Sequence, residues 1–440
     1  MGLGHSRDIK SAGALPGVVD GAGNSALVGN ADGSGIATLR PCGRLLAGSG
    51  AANATKLLVI SSPAPFFGVQ LSYPHLGGGG DCTGIKAVVA CTDDPGPMDY
   101  ALGGTDANFK KATTPKRGGT EYNTLSANGW RAVTWGGSAS ASITDPGADL
   151  IALATSDIIP VVPIQAADGL YYVLIRVYDG AGAYTSGGYV GFVTGTQYRT
   201  DATPWRVVSM FRGGDQVTDP TIWSTALTPS FAETAVCPVV VRLHGLSNKQ
   251  RTVMMCGDSR FDAVSEPAPV PQYRSSGFLL SQKLNALGAR VALVRAAYGG
   301  ATSAGYLQHG LKMLEIAAPS VALYNIYSVN DGTATQAIID AAKARTWTFV
   351  RAALAKGCQP VLVTSWPMTG MSGGVLALLQ ALDAWAAETG IPYISPLARY
   401  GNSSGGWAGV WGYDSTHGTQ ALHQRFADDT AAQLISLGYV

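Results

Sequence analysis

The chain has 440 residues, of which 46% are hydrophobic and 13% charged, and its formal net charge at neutral pH is +1. This near-neutral balance excludes partners that are held by a strong overall field, so we expect neither nucleic acid nor an anionic membrane surface as a ligand. No apolar run reaches the roughly 18 residues of a membrane helix, so no membrane insertion is expected, and the N-terminus has no visible signal-peptide core.

Residues 1–50 are dominated by Gly, Ala, Ser and Asp and lack the periodicity of a helix or a strand. We expect a Gly-rich N-terminal arm or irregular edge there. Between residues 51 and 247, short runs of β-branched and aromatic residues such as KLLVISS and LYYVLIRVYD recur between turn residues. Strands at this spacing predict an all-β accessory domain with a sandwich or jelly-roll-like fold.

Residues 248–440 follow a different pattern, in which short apolar runs alternate with longer stretches of helical period. The predicted strands are TVMMCG, RVALVRAAYGG, SVALYNIYSVND, QPVLVTSWP and PYISPL, and the stretch SAGYLQHGLKMLEIA after the second of them is a predicted helix. Alternating strands and helices predict a five-stranded parallel sheet with helices on both faces. Ligands of such sheets bind beyond the carboxyl ends of the strands, so this edge is where we expect the functional site.

The cysteines show no CxxC pair and no Cys/His cluster at zinc spacing; they are Cys42, Cys82, Cys91, Cys237, Cys256 and Cys358. A structural zinc is therefore not expected. Cys82 and Cys91 are close enough in sequence for a disulfide within a loop. Whether they pair is left open, because the redox compartment is unknown.

Ser259 follows the first predicted strand of the second half, within the motif GDS. A serine hydroxyl is a poor nucleophile at neutral pH, so hydrolysis requires an imidazole to take its proton and a carboxylate to orient that imidazole. His417 fits this requirement, because it lies in the loop GYDSTHGTQ before the last helix, shortly after Asp414. Asp414 has an alternative role as a cap of the final helix region.

An acyl-transfer site also requires donors for the developing oxyanion, and two strand ends offer them. Gly299 and Gly300 follow the second strand, where the missing side chain allows a backbone N–H to approach a substrate closely. Asn330 follows the third strand and offers a side-chain amide. The pair Asn330-Asp331 is equally typical of a simple turn or helix cap.

Over about residues 250–440 the chain resembles the SGNH (GDSL-type) hydrolase family. The resemblance rests on four motifs in order: GDS after the first strand, Gly after the second, Asn-Asp after the third and D-x-x-H before the last helix. The resemblance implies a flavodoxin-like three-layer α/β/α domain and a hydrolase that uses no cofactor and no metal. It implies that Ser259 is the nucleophile, His417 its base and Asp414 the residue that orients this base. It also implies three oxyanion donors: the N–H of Ser259, Gly300 and Asn330. Gly299 is the alternative to Gly300 for the second donor. As substrate-binding residues we predict Asp258, Arg260 and Trp411.

The family's ester chemistry, together with small, polar, tryptophan-dotted segments near the site, predicts a serine esterase that removes small acyl groups, such as acetyl, from a carbohydrate. The β-rich half resembles the sandwich of some acetyl esterases, and Trp130, Trp135 and Trp407 are candidate glycan contacts, with the sandwich core as the alternative for the first two. Two other interpretations stay open: a short-chain lipase or arylesterase, and a glycan-binding virion or cell-surface attachment protein that carries a deacetylase domain. We expect an extracellular or surface-exposed location, and the oligomeric state is not indicated.

Overall fold

The computed structural model describes residues 54–62, 65–76, 80–94, 114–147, 150–178, 180, 207–218, 240–244, 251–261, 276–289, 291–297 and 300–440. In these ranges the chain has mixed α/β content and several sheets. The predicted N-terminal arm and the predicted boundary between residues 247 and 248 lie outside the described residues. Within the described ranges, no helix combines the length and the apolar character needed to cross a bilayer.

The first part of the described chain consists of strands. They are β1 (Ala54–Ser62), β2 (Gly68–Leu76), β3 (Cys82–Thr92), β4 (Lys116–Arg117), β5 (Thr120–Glu121), β6 (Arg131–Ala132), β7 (Ala141–Ile143), β8 (Ile151–Thr155), β9 (Ile159–Pro160), β10 (Tyr171–Tyr178), β11 (Val207–Gly213) and β12 (Val240–His244). One sheet has the order β11-β1-β10-β3-β6, with β7 also paired to β3, and a second has the order β12-β2-β8, with β9 also paired to β2. These pairs are antiparallel, with Ile60 opposite Val173 between β1 and β10.

Side chains from both antiparallel sheets meet in one hydrophobic core. Val89 and Val173 come from the first sheet and Leu71 and Val241 from the second, and each is at most 1% exposed. Branched side chains suit a pleated surface that is buried on one face, which is why these runs form strands. Ala292, from the later α/β part of the chain, belongs to the same core, so the two parts pack against each other.

The second part alternates strands with helices. Its elements are β13 (Arg251–Gly257), α1 (Ser276–Ala286), β14 (Val291–Ala297), α2 (Ser303–Ala317), β15 (Val321–Asn325), α3 (Gln336–Ala355), β16 (Gln359–Val363), α4 (Gly373–Glu388), β17 (Tyr393–Ile394), α5 (Pro396–Tyr400) and α6 (Gln420–Ser436). The five strands form one sheet in the order β14-β13-β15-β16-β17, and each pairing is parallel. Counted along the chain, this is the order 2-1-3-4-5 of one common class of doubly wound sheets.

Helices cover both faces of this parallel sheet. Met254 of β13 belongs to a core cluster with Tyr306 of α2 and Phe349 of α3. Its neighbour Met255 belongs to a different cluster, with Phe426 of α6. Successive strand residues face opposite sides of the sheet. The second part of the chain therefore has three layers, with the sheet between two layers of helices.

Cys82 and Cys91 do not form the disulfide that the sequence left open. Neither cysteine is in a disulfide; both are buried and lie in β3, near its opposite ends. An extended strand rises about 3.3 Å per residue, which separates the two positions by roughly 30 Å. Burial raises the pKa of the Cys91 thiol to about 12, so this side chain stays neutral and packs as a small hydrophobic group.

Trp130 lies in the core rather than on a glycan-binding surface. The residue is 3% exposed, and the guanidinium carbon of Arg176 lies 4.2 Å from the centroid of its ring. Trp135 packs, partly buried, against the same β-rich core. The predicted glycan contact of Trp130 is therefore wrong, because the ring is buried and lies against the Arg176 guanidinium.

Candidate active site

Ser259 lies just beyond the carboxyl end of β13, next to the parallel strand β15. The chain turns sharply here, and the backbone N–H of Phe261 donates to the carbonyl oxygen of Asp258 at 3.0 Å. A Cβ on Gly257 would lie 2.7 Å from Cδ2 of Phe261, so the close approach of that ring requires glycine at this position. The turn leaves Ser259 only 6% exposed, in a recess of the sheet edge.

The side chains of Ser259, His417 and Asp414 form one hydrogen-bonded chain. Oγ of Ser259 lies 3.0 Å from Nε2 of His417, and Nδ1 of the same ring lies 2.8 Å from Oδ2 of Asp414. An ionised carboxylate only accepts hydrogen bonds, so Nδ1 carries the proton and donates it to Asp414. Nε2 is then the acceptor for the serine hydroxyl, which is the tautomer that a general base requires.

Asp414 is kept ionised although its carboxylate is partly covered. Partial burial raises its pKa, but the hydrogen bond from the His417 ring and those from the backbone N–H groups of His417 and Thr416 lower it, and the pKa lies below its usual value. The two backbone bonds end on Oδ1, at 2.6 Å each. A charged carboxylate at this position can hold Nδ1–H in place and stabilise an imidazolium.

His417 is carried by a short hairpin in front of α6. Gly412 and Gly418 form an antiparallel bridge, and the N–H of Tyr413 donates to the carbonyl oxygen of His417 at 2.9 Å. Tyr413 thus lies at the base of the hairpin, with its backbone directly against that of His417. Tyr413 is 45% exposed there, and sequence reasoning did not single it out.

Helix α6 begins directly after this hairpin. Its N-cap is Thr419, whose hydroxyl accepts a hydrogen bond from the N–H of Leu422. The helix cap that was an alternative role for Asp414 is thus supplied by another residue, and the Asp414 carboxylate is used within the hairpin.

The two other predicted oxyanion donors lie on neighbouring loops that are tied together. Gly300 has a φ of +78°, in the left-handed region that favours glycine. The amide nitrogen of Asn330 donates to the carbonyl oxygen of Ala301 at 3.0 Å and lies 3.2 Å from Oγ of Ser328. Gly299 lies outside the described residues, so its competition with Gly300 stays a prediction.

The turn that carries Asn330 also has the capping function that the sequence left open. Ser328 is the N-cap of a 3₁₀ turn over Val329–Asp331, and its hydroxyl accepts from the Asn330 N–H. The Asp331 carboxylate accepts from the N–H of Ser303, at the start of α2, at 2.9 Å. The first contact shapes the turn itself, and the second holds it against the start of α2.

Asp258 and Arg260 are not available to a substrate. Each side chain is 1% exposed, and the guanidinium donates through Nε and Nη2 to the two carboxylate oxygens of Asp258. Charged side chains are fully buried only when they are paired, and this pair is made inside the fold. The predicted substrate contacts of these two residues are therefore corrected.

The tryptophans near the site are held by packing. Trp411 is partly buried and packs edge-to-face with Tyr400, with ring centroids 6.1 Å apart. Trp407 packs over Gly412, where a Cβ would lie 2.4 Å from its Cδ1. A substrate contact of Trp411 stays a proposal, and one face of Trp407 is covered by the hairpin.

Asn325 is a second residue near the site that sequence reasoning missed. It is the last residue of β15 and is 1% exposed. Its amide nitrogen donates to the carbonyl oxygen of Tyr327 at 2.8 Å and lies 3.5 Å from Oδ2 of Asp258. The only signal in the sequence is an amide side chain that ends an otherwise apolar strand.

No metal-binding group of three or more His, Cys, Asp or Glu side chains occurs among the described residues.

No family model and no curated protein matches the chain. Part of the chain is similar to solved structures. The psychrotrophic esterase EstA from Pseudoalteromonas sp. is 18% identical, with a TM-score of 0.35, over 42% of this chain and 100% of that chain. The lipase/acylhydrolase from Enterococcus faecalis is 17% identical, with a TM-score of 0.35, over 42% of this chain and 95% of that chain. The acetyl xylan esterase AlAXEase is 17% identical, with a TM-score of 0.33, over 42% of this chain and 99% of that chain.

Proposed function

We propose that this chain is a serine esterase of the SGNH (GDSL) type whose catalytic part is residues 248–440. The observation that carries the proposal is the hydrogen-bonded chain from Ser259 Oγ through His417 to Asp414, with separations of 3.0 Å and 2.8 Å. These separations lie within the reach required of a nucleophile, its base and the group that orients the base. The site stands at a strand end of a parallel sheet, where such sheets bind ligands.

The reaction follows from the protonation states. Oγ of Ser259 attacks the ester carbonyl carbon while Nε2 of His417 takes the hydroxyl proton, which gives a tetrahedral oxyanion. The imidazolium then protonates the leaving alkoxide as the C–O bond breaks, and an acyl-serine remains. Water repeats the sequence with His417 as base, and the carboxylic acid leaves.

The oxyanion donors that we propose are the backbone N–H groups of Ser259 and Gly300 and the side-chain amide of Asn330. The Asn330 amide contacts two neutral oxygens, and the longer contact, to Ser328 Oγ at 3.2 Å, is the one that can be given up. A hydrogen bond to a developing anion is stronger than one to a hydroxyl, which favours this exchange.

For the substrate we propose a carbohydrate that carries a small acyl group such as acetyl, which implies an extracellular or surface-exposed location. Aromatic side chains are common platforms for sugar rings, and Tyr413, which is 45% exposed and whose N–H donates to the backbone of His417, can act as one. Val410, 72% exposed on the same segment, favours a second candidate, a short-chain lipase or arylesterase. Under the carbohydrate proposal, the β-rich part, residues 51–247, is an accessory part that helps to position the glycan.

The Ser259→Ala variant tests the proposed function. It retains the fold, because the side chain loses only an oxygen, and we expect turnover to fall by about six orders of magnitude, the scale for triad nucleophiles. Acetate release should be measured on acetylated polysaccharides, and product release on nitrophenyl esters from acetate to octanoate. Wild-type turnover in the variant would contradict the mechanism, and activity that rises with acyl chain length would favour the lipase.

Tyr413 provides a test of the carbohydrate proposal. Tyr413→Phe keeps the flat ring, whereas Tyr413→Ala removes it, so only the alanine variant should raise KM for an acetylated oligosaccharide, by roughly 10-fold for a lost stacking contact of about 1.4 kcal/mol. The kcat/KM for nitrophenyl acetate, which has no sugar, should stay within about 2-fold of wild type. Equal losses on both substrates would contradict a sugar platform.

A further inference from the structure

Asp258 and Arg260 flank the proposed nucleophile with a buried ion pair. Nε of Arg260 donates to Oδ1 of Asp258 at 3.0 Å, Nη2 donates to Oδ2, and the backbone N–H of Arg260 donates to Oδ1 at 3.0 Å. Three hydrogen bonds thus close a ring around the peptide groups of Ser259. The backbone N–H of Ser259, a proposed oxyanion donor, belongs to this ring.

The same pair is joined to the end of the neighbouring strand. Nη2 of Arg260 donates to the carbonyl oxygen of Tyr327 at 3.0 Å, and the amide of Asn325 donates to that same oxygen at 2.8 Å. The next residue along the chain is Ser328, which caps the turn of Asn330. Arg260 therefore connects the turn of the proposed nucleophile with the turn of the proposed amide donor.

This network is not the arrangement expected if stability alone were selected. Nη1 of Arg260 and Oδ1 of Asn325 are buried and have no hydrogen-bond partner among the described residues. Burying a charged pair costs free energy that incomplete hydrogen bonding does not return, and apolar side chains of similar size are often at least as stabilising. What the pair offers instead is a fixed relative position of two loops.

We propose that Asp258 and Arg260 are positioning residues, which hold the Ser259 peptide and the Ser328–Asn330 turn in one arrangement so that their donors converge on the same oxyanion. This inference rests on the proposed esterase function. Neither side chain touches the substrate; both act through the groups that do. Donors that are fixed before the reaction stabilise the transition state without reorganisation, so losing the connection should lower kcat and leave KM nearly unchanged.

The experiment compares three variants with wild type. Asp258→Asn with Arg260→Met removes both charges at nearly constant volume and avoids the unpaired charge that a single substitution would bury. Arg260→Lys keeps the charge, but one ammonium cannot reproduce the forked contact with Asp258 and the bond to Tyr327. The control is Lys283→Met with Asp428→Asn, which removes an ion pair of 3.0 Å whose side chains are 41% and 35% exposed. Each is assayed with nitrophenyl acetate for kcat and KM, for the rate of Ser259 phosphonylation by mass spectrometry, and for thermal unfolding.

The double variant should unfold cooperatively like wild type, while kcat and the phosphonylation rate both fall by about 100-fold, the scale for a small misplacement of reacting groups. KM should change by less than about 2-fold, and Arg260→Lys should show an intermediate loss. A folded double variant with wild-type kcat would overturn the proposal, as would wild-type kcat in Arg260→Lys if the double variant does not fold. A purely structural role would lower the unfolding temperature and leave kcat of the folded protein unchanged. An inactive wild type would instead refute the proposed esterase function.

Discussion

At the scale of single residues, Asp414 uses its two carboxylate oxygens for different tasks. Oδ1 accepts from the backbone N–H groups of Thr416 and His417, which shapes the hairpin, and Oδ2 accepts from the His417 ring. These bonds outweigh partial burial and hold the pKa of Asp414 below its usual value. The carboxylate therefore stays charged as pH falls through the range where an ordinary aspartate is protonated.

The Asp414→Asn variant separates these two tasks. Its amide oxygen can still accept the backbone N–H groups, so the hairpin should form, but its amide nitrogen faces Nδ1 and favours the wrong imidazole tautomer. We expect kcat to fall by about 10⁴-fold, less than for His417→Ala, in which the base itself is lost. Kinetics on nitrophenyl acetate, with circular dichroism as the folding control, measure this. A loss below 10-fold would show that Asp414 does not orient the base.

At the scale of elements, the hairpin before α6 depends on close packing against that helix. A Cβ on Gly418 would lie 2.0 Å from Cδ2 of Leu422. Leu422 is fully buried in the core cluster below, so its side chain cannot move away. The position of His417 is therefore set by the packing of the residue that follows it as well as by its own hydrogen bonds.

Gly418→Ala should disturb this packing. Inserting a methyl group into a filled core costs about 1–3 kcal/mol, so we expect that loss in the free energy of unfolding and a lower kcat as the imidazole shifts. Gly373→Ala is the control, because a Cβ there meets open space at the start of α4. Urea denaturation and kinetics on both variants check the prediction, which fails if the two behave alike.

At the scale of the whole molecule, the β-rich part contributes a dependence of stability on pH. His244, at the end of β12, lies 3.3 Å from the side-chain oxygen of Gln70. Burial, and to a lesser extent the nearby charge of Arg242, lowers the pKa of His244 to about 4. In the unfolded chain the same imidazole has a pKa of about 6.5, so between these values the unfolded state binds more protons than the folded state.

Stability should therefore be lost as pH falls from about 6.5 to about 4. His244→Gln has no titrating group and should flatten that part of the profile. The free energy of urea unfolding, measured at intervals from pH 7 to pH 4.5, gives the slope for each protein. Equal slopes in the variant and the wild type would show that burial of His244 is not responsible.

Much of this molecule is encoded locally. The predicted helix SAGYLQHGLKMLEIA coincides with α2 (Ser303–Ala317), because its periodicity and its Thr302 cap are properties of neighbouring residues. The mixed α/β content predicted from alternating runs is confirmed. The predicted strand PYISPL is wrong beyond its first half, because Ser395 caps a helix that begins at Pro396.

By itself, then, the sequence determined the order of the elements and which side chains stand at the strand ends, because periodicity, caps and motifs act over short distances. Only the tertiary structure decided what those side chains touch. Arg260 pairs with Asp258 and reaches Tyr327 because β13 and β15 are neighbours, a pairing between segments far apart in the chain. Burial is also decided by the tertiary structure, because whether a tryptophan or an arginine faces solvent depends on which distant strands and helices cover it.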